Sequence, residues 1–273
     1  MPADLGQIMS RTRADVTATV ETGESRWKTR LARVATRMCE EALELISPTR
    51  CASCERAGEL ICERCLAETM FIDPKEACAH CGAPFGRMLC TECDGTSTVL
   101  DRCVAAAVFD GPPSRIVRAY KDAGERRLGA LIAQAMAHAA RNAEERDPQR
   151  FSGLLSAADA VVFVPATASA YRRRGFDHME LIARAFCEET GLPLVDALAK
   201  RGSVDQRELG REQRIERSLD VYAVVAPELV EGRRVLLLDD VITTGATLTA
   251  AAQALKGAGA RRVDGVAYAR VWG

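Results

Sequence analysis

Three stretches of the chain are unbroken apolar runs: residues 103–109, 160–164 and 235–238. A strand covered on both faces reads this way, so each predicts a buried strand of a parallel sheet. Residues 263–269 read as the last strand, and 194–195 and 222–225 as short ones. Helical patterns lie between them, over 116–120, 128–140, 179–189 (ended by Gly191) and 248–256 (capped by Gly257 or Gly259). Strands alternating with helices predict an α/β fold with a mostly parallel sheet and helices on both faces. Residues 142–149 read as a charged surface connection, and 167–177 as a polar, arginine-rich loop. Over 206–217, Arg207, Arg211, Arg214 and Arg217 share one helical face beside Glu208, Glu212 and Glu216, which predicts a solvated, salt-bridged helix.

The N-terminal part follows other rules. Residues 1–24 show no periodicity and read as a disordered tail. Trp27, Leu31, Val34, Met38, Ala42 and Leu45 recur at spacings of three and four, one face of a helix over 25–48. Ser47-Pro48 stops it, because a residue before proline avoids the helical region. A cysteine module then occupies 49–97, and 98–273 is the α/β domain.

Composition narrows the function classes. The 273 residues carry a net charge of -1, so no global basic field draws the protein to nucleic acid or anionic membrane. No apolar run approaches the roughly 18–20 residues of a membrane helix, and no signal-peptide core opens the chain. We expect a cytoplasmic protein.

Of the 11 cysteines, Cys51, Cys54, Cys62, Cys65, Cys78, Cys81, Cys90 and Cys93 form CxxC pairs. In a reducing compartment, such pairs supply thiolates for about two structural zinc ions, each held by four cysteines. Sequential pairing and cross-braced pairing of the CxxC units both remain open. His80, inside a CxxC turn, is expected to be a spectator.

A second constellation follows the apolar run Val235-Leu236-Leu237-Leu238. Asp239 and Asp240 come at the strand's carboxyl end, where ligands of open α/β sheets bind. Thr243, Thr244, Gly245, Ala246 and Thr247 then lead into a helix. A glycine turn and exposed N–H groups at a helix start attract phosphate, and threonine hydroxyls add donors. The two carboxylates can accept ribose hydroxyls, or hold Mg²⁺ directly or through water. At the end of the earlier strand, Pro165 and Ala166 precede Arg172-Arg173-Arg174. Arg172 and Arg174 are expected to grip a pyrophosphate, since guanidinium binds phosphate through two N–H groups. His178 is expected at the surface.

The Asp239–Thr247 segment resembles the phosphoribosyl pyrophosphate (PRPP) loop of type I phosphoribosyltransferases. A double zinc ribbon ahead of such a domain resembles the ComF competence-protein family over about residues 43–270. The likeness includes Ile46-Ser47-Pro48, Tyr120-Lys121, Arg174-Gly175-Phe176, Gln206, Leu209 and Arg214. It implies a type I phosphoribosyltransferase-like sheet and binding of PRPP or another ribose 5-phosphate compound with Mg²⁺. In it, the acids take the ribose hydroxyls and the loop takes the 5-phosphate. It also implies a place in DNA uptake during natural transformation, with a helicase-like competence partner. The chain departs from the family pattern at Phe163 (first proline of Val-Pro-Val-Pro), Ala170 (arginine), Asp177-His178 (Asn-Gln) and Arg217 (asparagine). A carboxylate at Asp177 is expected to repel a polyanion and slow turnover.

Two readings of function stand side by side. One is an enzyme moving phosphoribosyl from PRPP to a nitrogen nucleophile, with Asp239 and Asp240 at the reacting sugar. The other is a non-enzymatic factor that binds a nucleotide, single-stranded DNA or a partner protein. With only 5% aromatic residues, the chain is poor in the rings that stack single-stranded bases.

Overall fold

The computed structural model describes residues 48–87, 90, 93, 99–200 and 221–272. The tail over 1–24, the helix over 25–48 (Pro48 apart), the charged helix over 206–217 and Arg217 lie outside the described residues. In chain order the elements are α1 (Glu63–Ala67), β1 (Arg102–Val108), α2 (Gly111–Lys121), α3 (Leu128–Arg146), α4 (Pro148–Phe151) and β2 (Ala160–Phe163). Then come α5 (Ala168–Arg174), α6 (His178–Thr190), β3 (Leu198–Lys200), β4 (Tyr222–Val224), β5 (Arg234–Ile242), α7 (Ala246–Gly257) and β6 (Arg262–Arg270).

The apolar runs become a four-stranded sheet in the order β1-β6-β5-β2, parallel throughout. Successive strand side chains point to opposite faces. Leu236 and Leu238 of β5 share one core with Ile132 and Met136 of α3 and Ile182 and Phe186 of α6. Val235 and Leu237 share the other with Leu248, Ala251 and Leu255 of α7. Helices cover both faces, which is why these strands carry no polar alternation. β3 and β4 form a separate antiparallel pair.

Three local expectations change. α3 runs on to Arg146, through what reads as a charged connection. The buried Ala140 and Ala143 continue its apolar stripe while Glu145 and Arg146 stand in solvent. The arginine-rich stretch is helical over α5, because Thr167 accepts the Ala170 N–H at 3.1 Å and Gly175 ends the helix at φ 75°. Leu194 makes only an isolated bridge to Val161 rather than a strand. Among the described residues, no helix is long and apolar enough to cross a membrane.

The cysteine segment docks on the sheet's edge. Ile72 N–H donates to the Ala106 carbonyl at 3.0 Å, and Val108 N–H to Met70 at 2.9 Å. The Arg150 guanidinium reaches the carbonyls of Ala77 (2.8 Å) and Pro74 (2.6 Å). At the far end of the sheet from Asp239, buried Arg102 grips Asp264 through Nε (3.0 Å) and Nη2 (2.7 Å) and reaches the Ser152 carbonyl at 2.9 Å. Arg262 adds a second cation to Asp264 at 3.1 Å.

Removing one partner of a buried pair leaves an uncompensated charge. Arg102→Met is expected to cost about 3–5 kcal/mol in denaturant unfolding, with an unchanged m-value. A loss below about 1 kcal/mol would mean that Arg262 alone satisfies Asp264.

Candidate functional site

The cysteines fall into two tetrads in sequential pairing: Cys51, Cys54, Cys62 and Cys65, then Cys78, Cys81, Cys90 and Cys93. Within each, the sulfurs all lie within 4.8 Å of one another. Tetrahedral zinc at about 2.3 Å from each sulfur sets neighbouring sulfurs about 3.8 Å apart. Cys54–Cys62 and Cys81–Cys90 stand at 3.5 Å, far beyond a disulfide bond. The Cys62 N–H points at Cys51 Sγ from 3.4 Å, as a thiolate requires. Gly86 makes room for the second tetrad: a Cβ there would meet Cys78 Cβ at 2.8 Å. The two clusters fit about two structural zinc ions, and no position is left open for a substrate. His80 is exposed and contributes no ligand atom to either tetrad.

The second site exists because β5 outruns β2. β2 ends at Phe163 opposite Leu238, whereas β5 continues beside β6 to Ile242. Past Leu238, the open side of β5 borders a cavity of about 480 Å³. Asp239, Asp240, Thr243, Thr247, Pro165, Ala166 and Arg174 all line it. Thr244, Gly245 and Ala246 form the turn between the two lining threonines. Gly245 holds φ 77°, which a side chain would resist. Arg172 lies exposed on α5 and does not line the cavity.

The acids are nearly buried, and their environments differ. Asp240 Oδ2 stands 2.5 Å from Lys121 Nζ and 2.8 Å from His178 Nε2. Burial pushes its pKa up, but His178 and Lys121 outweigh burial and hold it below the ordinary carboxylate value. Among the described residues Asp239 lacks such partners. Burial, then the neighbouring Asp240 charge, push it up to about 8, against the pull of the Asp240 N–H, Lys121 and Lys200.

Several of these contacts depart from the sequence reading. His178 is buried, at 8% exposure, rather than on the surface. Asp177 does not present a bare carboxylate to a polyanion. It caps α6, accepting the N–H groups of Met179 (2.8 Å) and Glu180 (3.3 Å), and it also accepts that of Ala166 (2.8 Å). Its carboxylate faces these backbone N–H groups and does not line the cavity. Arg174 donates through Nε to the Lys121 carbonyl at 2.9 Å and still lines the cavity.

The sequence reading missed Lys121, Arg118, Lys200 and Tyr222 as cavity walls. It also missed Arg270, 1% exposed, whose Nη1 reaches the carbonyls of Ile242 (3.3 Å), Thr243 and Val271 (2.8 Å). That guanidinium ties the start of the threonine turn to the neighbouring strand. A charge closing the run Val266-Ala267-Tyr268-Ala269 was the available signal, since buried arginines need partners.

Comparison with known proteins finds two matched regions. The phosphoribosyl transferase domain model matches residues 169–270, and the double zinc ribbon domain model matches 42–96. Competence protein F of Haemophilus influenzae is 24% identical over 201 residues, 72% of this chain and 82% of that protein. DNA utilization protein YhgH of Escherichia coli K12 is 25% identical over 212 residues, 75% of this chain and 87% of that protein. Competence protein ComFC of Streptococcus pneumoniae is 29% identical over 102 residues, 37% of this chain and 44% of that protein. The chain is a phosphoribosyltransferase-domain protein with an N-terminal double zinc ribbon. Over about three quarters of its length it is similar to proteins named for competence and DNA utilization.

Protein purified without chelator is expected to carry about two zinc ions per chain, and Cys78→Ser about one. Metal analysis checks both. Metal-free native protein whose tetrad thiols titrate freely contradicts the assignment.

Proposed function

We propose that the cavity beside Asp239 and Asp240 binds PRPP, or another ribose 5-phosphate compound, with Mg²⁺. The observation that carries this reading is the convergence of two unlike groups on one cavity. A buried acid pair lies at the end of β5, and the Thr243–Thr247 turn opens onto the start of α7. Carboxylates accept sugar hydroxyls, and the N–H groups at the start of α7 suit the 5-phosphate. Lys121, Arg174, Arg118 and Lys200 line the same cavity and suit a pyrophosphate. Asp239 and Asp240 are hard oxygen donors of the kind Mg²⁺ takes, and the ion would offset pyrophosphate charge.

The reaction such binding serves is transfer to a nitrogen nucleophile. The bond from C1 of the ribose to pyrophosphate breaks, a C1–N bond forms, and the nucleophile loses its N–H proton. The chain's part is to hold both groups in line and stabilise the departing pyrophosphate. Ala170 stands in the cavity wall where the family pattern has arginine. One missing charge-assisted bond is worth about 1.5–3 kcal/mol, about one to two powers of ten in rate. Turnover on common bases is therefore expected to be slow.

The relatives' names, competence and DNA utilization, are consistent with a second reading. In it the chain is a non-enzymatic factor in DNA uptake that holds single-stranded DNA or a helicase partner.

Calorimetric titration with PRPP, ribose 5-phosphate and single-stranded DNA, with and without Mg²⁺, separates the two. PRPP and ribose 5-phosphate are expected to bind. Asp240→Ala is expected to weaken both by at least about tenfold while zinc content and circular dichroism stay unchanged. Binding of DNA alone, with neither sugar phosphate, would overturn the first reading.

A further inference from the structure

His178 opens α6 with its ring turned inward, between two groups that belong to opposite ends of the proposed ligand. Its Nε2 stands 2.8 Å from Asp240 Oδ2. The approach is a close ion-pair contact rather than an aligned hydrogen bond, and it places a proton on Nε2, because two lone pairs would repel. Its Nδ1 stands 3.3 Å from Arg174 Nη1. A guanidinium has only protons to offer, so Nδ1 is the acceptor. Asp177 Oδ1 is 3.9 Å from Nδ1, out of hydrogen-bond reach, and is occupied by backbone N–H groups. The contacts thus give the two ring nitrogens different roles, Nε2 toward Asp240 and Nδ1 toward Arg174.

The surroundings leave the ring little freedom. The Tyr120 hydroxyl donates to the His178 carbonyl at 2.6 Å, fixing the start of α6 against the end of α2. Arg174 Nε donates to the Lys121 carbonyl at 2.9 Å, fixing the end of α5 to the same place. Three helix ends thus meet around one imidazole.

From this geometry we infer that His178 is a positioning residue that couples Arg174 to Asp240 and so sets the preference for PRPP over ribose 5-phosphate. The inference rests on the phosphoribosyl reading of the cavity. Asp240 serves the ribose hydroxyls and Arg174 the pyrophosphate. Ribose 5-phosphate uses only the first, so loosening both ends costs PRPP more. The role needs a side chain that donates to Asp240 and accepts from Arg174 at once. The two nitrogens of imidazole do this, and so do the amide nitrogen and oxygen of glutamine, the residue of the family pattern at this position.

The test compares His178→Leu with His178→Gln by calorimetry, using PRPP and ribose 5-phosphate as titrants. His178→Leu is expected to lose about tenfold or more in PRPP affinity and less in ribose 5-phosphate affinity. His178→Gln is expected to restore most of both the affinity and the preference. Equal binding of both ligands by wild type and His178→Leu would overturn the inference, as would a His178→Gln variant no better than His178→Leu. A ligand-free arm uses nitrogen NMR of the His178 ring near neutral pH. Proton occupancy of Nε2 is expected, with an Nδ1 signal that moves in Arg174→Met. A proton on Nδ1, or no response to Arg174→Met, would overturn the coupling even if neither sugar phosphate binds. Failure of both titrants with wild type, alongside the expected NMR result, would sink the phosphoribosyl reading and the ligand preference while leaving the His178 contacts in place.

Discussion

Two adjacent carboxylates sit almost buried at the end of β5, and much of the surrounding structure answers the cost of placing them there. A buried charge is tolerated only when paired or neutralised. Asp240 is paired, by Lys121 from the end of α2 and His178 from the start of α6. Among the described residues Asp239 has no such partner, and burial drives it toward the protonated form. Neighbours in sequence thus differ in state because successive strand residues face opposite sides of the sheet. Asp240 faces the helix ends, while Asp239 feels Lys200 of the β3–β4 pair.

Strand length turns this arrangement into a site. Had β2 continued beyond Phe163, it would have covered the side of β5 on which the cavity opens. Instead the chain leaves β2 through Pro165 and Ala166, and Asp177 holds that exit by accepting the Ala166 N–H. On the other side β6 runs the full length of β5, and its last residue, Arg270, anchors the carbonyls where the threonine turn begins. The zinc ribbon leans on β1, away from this opening, through the backbone bonds of Met70 and Ile72 and the reach of Arg150. Zinc held by its two tetrads would supply folding energy to a segment with little apolar core of its own.

The parts legible in the sequence were those set by local pattern. The unbroken run at 235–238 announced a doubly covered strand, and the CxxC spacing announced two metal tetrads. The Asp-Asp and Thr-Thr-Gly-x-Thr motifs announced where a sugar phosphate would be sought. Sequential cysteine pairing became plain only in three dimensions, since both pairings satisfy the same spacing. The misreadings share a cause. The α5 segment reads as a loop because its arginines outweigh its helical signals, although Thr167 and Gly175 are ordinary caps. Asp177 looked like a stray charge because its three N–H partners are invisible until α6 and the Ala166 exit approach it. Lys121, His178 and Arg270 act through contacts far along the chain, as Lys121 with Asp240 shows, and no spacing rule reports those.

Carboxyl carbon NMR of the acid pair across pH, assigned with Asp239→Asn, tests the central claim most directly. The account predicts one carboxyl, Asp239, titrating near 8, while Asp240 stays ionised to below the ordinary carboxylate range. The sign of the linked stability follows. A native pKa raised above the unfolded 3.8 means that the folded protein holds an extra proton between 3.8 and about 8. The stability contributed by Asp239 is then complete below the unfolded value and is lost as pH rises through the folded one. Two carboxyls titrating together near 4 would contradict the account, because the pair would then be neither buried nor unequally paired.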